Sequence, residues 1–176
     1  MKLTIIRHTS VNVPSGVCYG FTDVPLTDSF EAEASVVKKH LDGKVFDQIY
    51  SSPLSRCTLL ADFCDYRPQL DARLKELNFG DWEMKSWTEI DKAEAQAWFA
   101  DWLHYPTKNG ESYAMMQQRV NAFMDDLKTT DAENVCIFTH GGVIRLIHVY
   151  LGIHPLEESF EFPVEYGQIF ELENRT

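Results

Sequence analysis

The sequence predicts an α/β fold on a mainly parallel sheet, with helices covering both faces of the sheet. Three observations predict it. Residues 3–6 and 135–139 are short continuous apolar runs, as expected of strands buried on both sides. Segments with helical spacing alternate with these runs along the chain. Both runs stop abruptly at histidines, in Arg7-His8 and His140-Gly141-Gly142, as strands do when their carboxyl ends reach a site.

Strand one, residues 3–6, delivers Arg7 and His8. A loop punctuated by Gly and Pro follows over residues 13–25, after which Thr27 or Asp28 can cap a helix whose stripe is Phe30, Ala34, Val37 and Leu41. Gly43 ends that helix. Residues 45–50 read as a second strand, Ser51-Ser52-Pro53 as a turn, and residues 54–64 as a helix with Arg56 in its first turn. Residues 67–109 are the least regular stretch. They carry Glu76, the segment GDWEMKSW and a helix expected over residues 88–102, and whether residues 76–110 form a lid over the site is left open. Residues 113–128 set Met116, Val120, Phe123 and Leu127 at helical spacing, which is a packing stripe. The buried run at 135–139 leads through His140-Gly141-Gly142 into a helix over 143–151 that is apolar nearly all round. Residues 166–172 are expected to add a last strand.

The length of 176 residues suits one domain, expected to span 1–176, and 44% hydrophobic with 24% charged residues excludes a largely disordered chain. Sixteen Lys and Arg against 27 Asp and Glu leave a net charge of −11, which disfavours nucleic acid and anionic membranes as partners. An anionic substrate would therefore need a local cationic pocket. There is no apolar run of about 18 residues, and the start MKLTIIRH has no leader pattern, so a cytoplasmic location is expected. Cys18, Cys57, Cys64 and Cys136 form no CxxC pair and sit in apolar surroundings, so they read as buried free thiols. Trp82, Trp87, Trp98 and Trp102 read as packing residues, with stacking on a flat base as the alternative. His40, His104, His148 and His154 lack motif partners and read as structural or surface residues.

Glycine-rich nucleotide loops, HExxH and GxSxG are absent, and no cysteine is followed six positions later by an arginine. What remains is Arg7-His8, Arg56, Glu76 and His140-Gly141-Gly142, a set suited to phosphoryl transfer. Two guanidiniums can engage the oxygens of a phosphate monoester, and N–H groups opening the helix after His140 would point at the same anion. Neighbouring arginines also penalise imidazolium, which keeps a histidine unprotonated for attack on phosphorus. The departing alkoxide needs a proton. Glu76 is the candidate donor, with Asp81 and Glu83 near enough in sequence to exchange roles with it. The scheme calls for no metal and no cofactor.

With these residues in place the chain resembles the histidine phosphatase superfamily, in the branch of phosphoglycerate mutases and small-molecule phosphatases. The resemblance covers nearly the whole chain through LTIIRHT at 3–9, SSPLSRC at 51–57, LKELNFGDWE at 74–83, GES at 110–112 and FTHGGVIR at 138–145. It implies a three-layer α/β/α fold of phosphoglycerate mutase type, phosphorylation of His8, phosphate binding by Arg7, Arg56, His140 and Gly141, and proton donation by Glu76. CYGFTDVPL at 18–26 and GDWEMKSWTEI at 80–90 look like the α-ribazole phosphatases of cobalamin biosynthesis. Thr9 and Ser10 stand where the superfamily pattern usually has Gly and Glu, which suits that group and weakens a mutase assignment. The expected partner is a small-molecule phosphomonoester, and a homodimer is left open. A phosphoglycerate mutase, a broad sugar-phosphate phosphatase and a non-catalytic phosphate-binding module are the alternatives.

Overall fold

The computed structural model describes residues 1–173, so the last three residues of the expected 1–176 domain lie outside the described residues. In chain order the elements are β1 (Lys2–Arg7), α1 (Phe30–Leu41), β2 (Gln48–Ser51), α2 (Ser55–Phe63), β3 (Gln69–Leu70), α3 (Lys92–Ala100), α4 (Tyr113–Lys128), β4 (Asn134–Thr139), α5 (Gly141–Tyr150) and β5 (Ile169–Glu173). Short 3-10 turns occur at Ala72–Leu74, Gly80–Trp82 and Leu156–Glu161. The sheet order is β3-β2-β4-β1-β5, parallel throughout except for β5, which runs antiparallel to β1.

The layers follow from side-chain alternation along the buried strands. Leu3, Ile5, Val135 and Ile137 face the helices α4 and α5, whose Met116, Val120, Phe123, Ile144 and Ile147 meet them. Ile6, Cys136 and Phe138 face α1 and α2 through Ala34, Val37, Leu41, Cys57 and Leu60. The result is the expected α/β/α arrangement. Each of these fully buried aliphatic side chains contributes roughly 1.5–3 kcal/mol of apolar burial. All four cysteines are free and buried.

Several boundaries differ from those expected. Helix α1 starts at Phe30, with Ser29 rather than Thr27 or Asp28 at its N-cap position and no side-chain cap bond there. Glu33 does the tethering instead, accepting from Ser29 Oγ at 2.6 Å and from the Ser10 N–H at 2.9 Å. Strand β2 starts at Gln48, because Val45 is exposed and lies ahead of the pairing with β4. Helix α3 is shorter than residues 88–102: Asp91 accepts from the N–H groups of Ala93 and Glu94, and so sets the first turn. Helix α5 begins two residues early, at Gly141. The two-residue β3 is exposed and too short to carry an alternating pattern.

The stretch for which a lid was left open has a small core of its own. Its Trp82, Ile90 and Trp98 bury against Cys18 as a small separate core. The Asp81 N–H donates to the Lys108 carbonyl at 2.9 Å and the Glu111 N–H to the Asn78 carbonyl at 2.9 Å. No helix among the described residues is long and apolar enough to cross a membrane.

Candidate active site

Sheet register brings the two histidines together. Arg7 at the end of β1 pairs with Thr139 at the end of β4, so His8 and His140 are the next residues on adjacent parallel strands. Their ring centroids are 5.2 Å apart in an edge-on arrangement. Ser51 pairs with Phe138 in the same way, which puts Ser52 on the other side of His140. Three strand ends thus meet at one spot, beyond the carboxyl edge of the sheet.

His8 is 2% exposed. Its Nδ1 lies 2.7 Å from the Thr9 carbonyl oxygen, which can only accept, so Nδ1 carries the hydrogen and Nε2 is left with a lone pair. Burial and the Arg56 charge, with a smaller push from Arg7, lower its pKa to about 3 against the pull of the Thr9 bond. The imidazole is therefore neutral at physiological pH.

Arg56, in the first turn of α2, is fully buried. It donates from Nη2 to the Gly20 carbonyl at 2.5 Å, from Nη1 to the Thr22 carbonyl at 2.9 Å and from Nε to His140 Nδ1 at 3.3 Å. With Nδ1 accepting, His140 Nε2 carries the hydrogen and donates to Ser52 Oγ at 2.8 Å. Burial, then the charge of Arg56, hold the His140 pKa well below its ordinary value. Both ring nitrogens of His140 are thus occupied, and the ring stands behind Arg56 and His8 rather than lining the cavity. The strand pairing that brings it beside Ser52 sets this orientation.

Arg7 donates from Nη1 to the Val164 carbonyl, and its guanidinium lies 4.0 Å over the Tyr166 ring. Its Nε is buried with no partner. An orphaned guanidinium N–H of this kind costs about 1–3 kcal/mol unless a ligand completes it. Glu76 faces the same cavity. Its carboxylate accepts from the Gly142 N–H at 3.1 and 3.2 Å. The opening of α5 therefore holds Glu76, where the sequence suggested a direct grip on phosphate. Gly142 has to be glycine for this approach, since a Cβ there would lie 2.3 Å from Glu76 Oε1. Gly141 lies between two guanidiniums: a Cβ on it would be 3.3 Å from Arg145 Nη1 and 3.6 Å from Arg7 Cζ.

Arg119 on α4 positions the Glu76 segment from behind. It donates to the carbonyls of Arg73, Lys75 and Glu76 at 2.6–2.9 Å and pairs with Glu111 at 2.6 Å. Neither rival acid lines the cavity. Glu83 accepts from the N–H groups of Gly20, Phe21, Thr22 and Phe79; burial pushes its pKa up, but these bonds win and hold it below the ordinary value. Asp81 points to Asn109 and Lys108 at the surface.

The cavity has a volume near 210 Å³, with Arg7, His8, Arg56, Glu76 and Arg145 on its polar side and Leu77, Phe79, Tyr113 and Phe160 on its apolar side. A larger hollow near 580 Å³ lies at the opposite end of the strands, around Lys2, Asn134 and Glu171, and contains none of these residues. Arg145 had no role assigned from sequence. Its signal was its spacing, one helical turn after Gly141 on a mostly apolar helix. Arg7, Arg56 and Arg145 have no carboxylate partner among the described residues. In a chain of net charge −11, three unpaired guanidiniums at one cavity make the local cationic pocket that an anionic substrate needs.

A family model described as histidine phosphatase superfamily (branch 1) matches residues 3–175. The chain belongs to the histidine phosphatase superfamily. Among curated superfamily members it is 30% identical over 177 residues to the adenosylcobalamin/alpha-ribazole phosphatase of Salmonella typhimurium, and 32% identical to that of Escherichia coli. Each alignment covers 95% of this chain and 87% of the relative. The crystal structure of the alpha-ribazole phosphatase from Shigella flexneri superposes with a TM-score of 0.90 at 29% identity, over 98% of this chain and 90% of that one. The protein is accordingly a phosphatase of this superfamily.

Proposed function

We propose that the chain is a phosphomonoesterase that works through a phosphohistidine at His8, with α-ribazole 5'-phosphate or adenosylcobalamin 5'-phosphate as substrate. The carrying observation is His8 itself: a neutral imidazole, its Nδ1 tied to a carbonyl, flanked by unpaired guanidiniums and sharing one cavity with Glu76. Arg7 and Arg56 hold the phosphate, joined by Arg145, and close approach at Gly141 is open because no Cβ intervenes. Nε2 of His8 forms a bond to phosphorus as the bond from phosphorus to the alcohol oxygen breaks, and Glu76 gives the leaving oxygen its proton. Water then attacks the phosphohistidine, Glu76 takes the proton from that water, and inorganic phosphate leaves with His8 restored. His140 acts through Arg56, as a neutral strut that keeps the guanidinium oriented. No metal or cofactor enters the scheme. The substrate assignment is supported by the named relatives and by the segments at 18–26 and 80–90.

Incubation with phosphate-labelled ester should leave acid-labile, alkali-stable label on the protein, absent from His8→Ala, and turnover should survive EDTA. Label stable in acid would reject the phosphohistidine. Comparison of kcat/KM for α-ribazole 5'-phosphate with phosphoglycerates and sugar phosphates decides the substrate; equal values across the panel would remove the cobalamin assignment.

A further inference from the structure

The apolar wall of the catalytic cavity is shared with a second space. Phe79 and Phe160, which line it, also line a second cleft of about 390 Å³ whose other walls are Trp87, Trp98, Phe99 and Trp102. The Phe160 ring lies 4.7 Å from Tyr113, on the catalytic side, and 4.7 Å from Trp102, on the far side. The two spaces are therefore adjacent across one ring. Trp87 and Phe99 are tilted by only 34° with centroids 6.0 Å apart, and both are open to solvent, Phe99 at 63%. A chain that buries Trp82 fully leaves these two large rings uncovered.

Two further features fit one kind of occupant. Trp98, 6% exposed, has an indole N–H with no acceptor among the described residues. Glu157 and Glu161 supply the only charges on the walls of the cleft, and neither has a cationic partner among the described residues. Uncovered ring faces favour a flat π-surface, an unpaired N–H favours an acceptor atom, and the acidic rim repels carboxylates.

We propose that this cleft is the subsite for a flat heteroaromatic ring, uncharged or cationic, carried on the alcohol half of the phosphate ester. The inference rests on the phosphatase reading above and deepens it: guanidiniums take the phosphate, and the aromatic cleft takes the base. Esters whose alcohol half bears a carboxylate are disfavoured by Glu157 and Glu161.

The test compares kcat/KM for α-ribazole 5'-phosphate with that for ribose 5-phosphate, which lacks the base. In Phe99→Ala and Trp87→Ala the ratio of the two should fall about tenfold, and Trp87→Phe, which keeps a ring face, should restore most of it. Phe99 is largely exposed, so its removal leaves the cores intact. Calorimetric titration with unphosphorylated α-ribazole should show binding about tenfold weaker in Phe99→Ala than in the parent. A ratio unchanged within about twofold in both alanine variants, with equal α-ribazole binding, would overturn the subsite. Absence of phosphate release from either ester by the parent protein would overturn the phosphatase reading, and the titration would still decide the cleft.

Discussion

At the scale of single residues, the site depends on how the surroundings of like groups differ. His8 and His140 are both buried beside Arg56, yet only His8 has a ring nitrogen left over. With its pKa at about 3, His8 should show no imidazole titration by NMR between pH 5 and 8; a transition near 6.5 would contradict the neutral nucleophile. Glu76 and Glu83 divide in the same manner. One faces the cavity, whereas the other is saturated by the N–H groups of the loop that orients Arg56. Glu76→Gln should therefore lower kcat about a hundredfold or more with KM little changed, because it removes a proton donor. Glu83→Gln should raise KM instead, by loosening Gly20 and Thr22, whose carbonyls hold the Arg56 guanidinium. The same kinetic split in both variants would show that the acid has been misassigned.

At the scale of elements, helix α5 and the ends of β1 and β4 decide the arrangement. Gly142 sits in the first turn of α5 against the Glu76 carboxylate. Gly142→Ala forces that flexible side-chain end aside while improving helix propensity by about 1 kcal/mol. Thermal denaturation should thus show stability held or raised, and kcat should drop about tenfold or more. A variant of full activity would mean that the Gly142 contact does not place the acid. Strands β1 and β4 were legible because double-sided burial writes continuous apolar runs, and their histidine ends were legible because polarity changes there within one residue. Helix α3 was less so. Its first turn is set by Asp91, while Thr88, an equally good capping type, spends its hydroxyl on Ser86. The packing of residues 67–109 was not legible, since the partners that hold it from outside, Cys18 and Phe160, lie far away in sequence.

At the scale of the whole molecule, a strongly acidic chain concentrates three unpaired guanidiniums where an anion must bind. Folding therefore buries neutral imidazole beside positive charge, and this has a pH signature. The folded pKa of His8, about 3, lies below the value of 6.5 for an exposed histidine, so between those values the unfolded chain binds the extra proton. Stability should fall as pH drops from about 6.5 toward 3, and the slope should be shallower in His8→Ala; denaturant unfolding at pH 4.5, 5.5 and 7 measures it. Equal slopes in the two proteins would show that His8 is not the group responsible.

The amino-acid sequence alone determined the α/β class and the superfamily and put Arg7, His8, Arg56 and an acid of the 76–83 segment forward as candidates, because strand ends, helix starts and their polar residues are local features. Only the tertiary structure decided which acid faces the histidine, that His140 props Arg56 from behind, and that Arg145 joins the pocket. Those outcomes join residues far apart in the chain, 84 positions for Arg56 with His140 and 66 for Gly142 with Glu76. Contacts of that separation are set by strand register and by which helix covers which face of the sheet, and no local pattern of side chains encodes either.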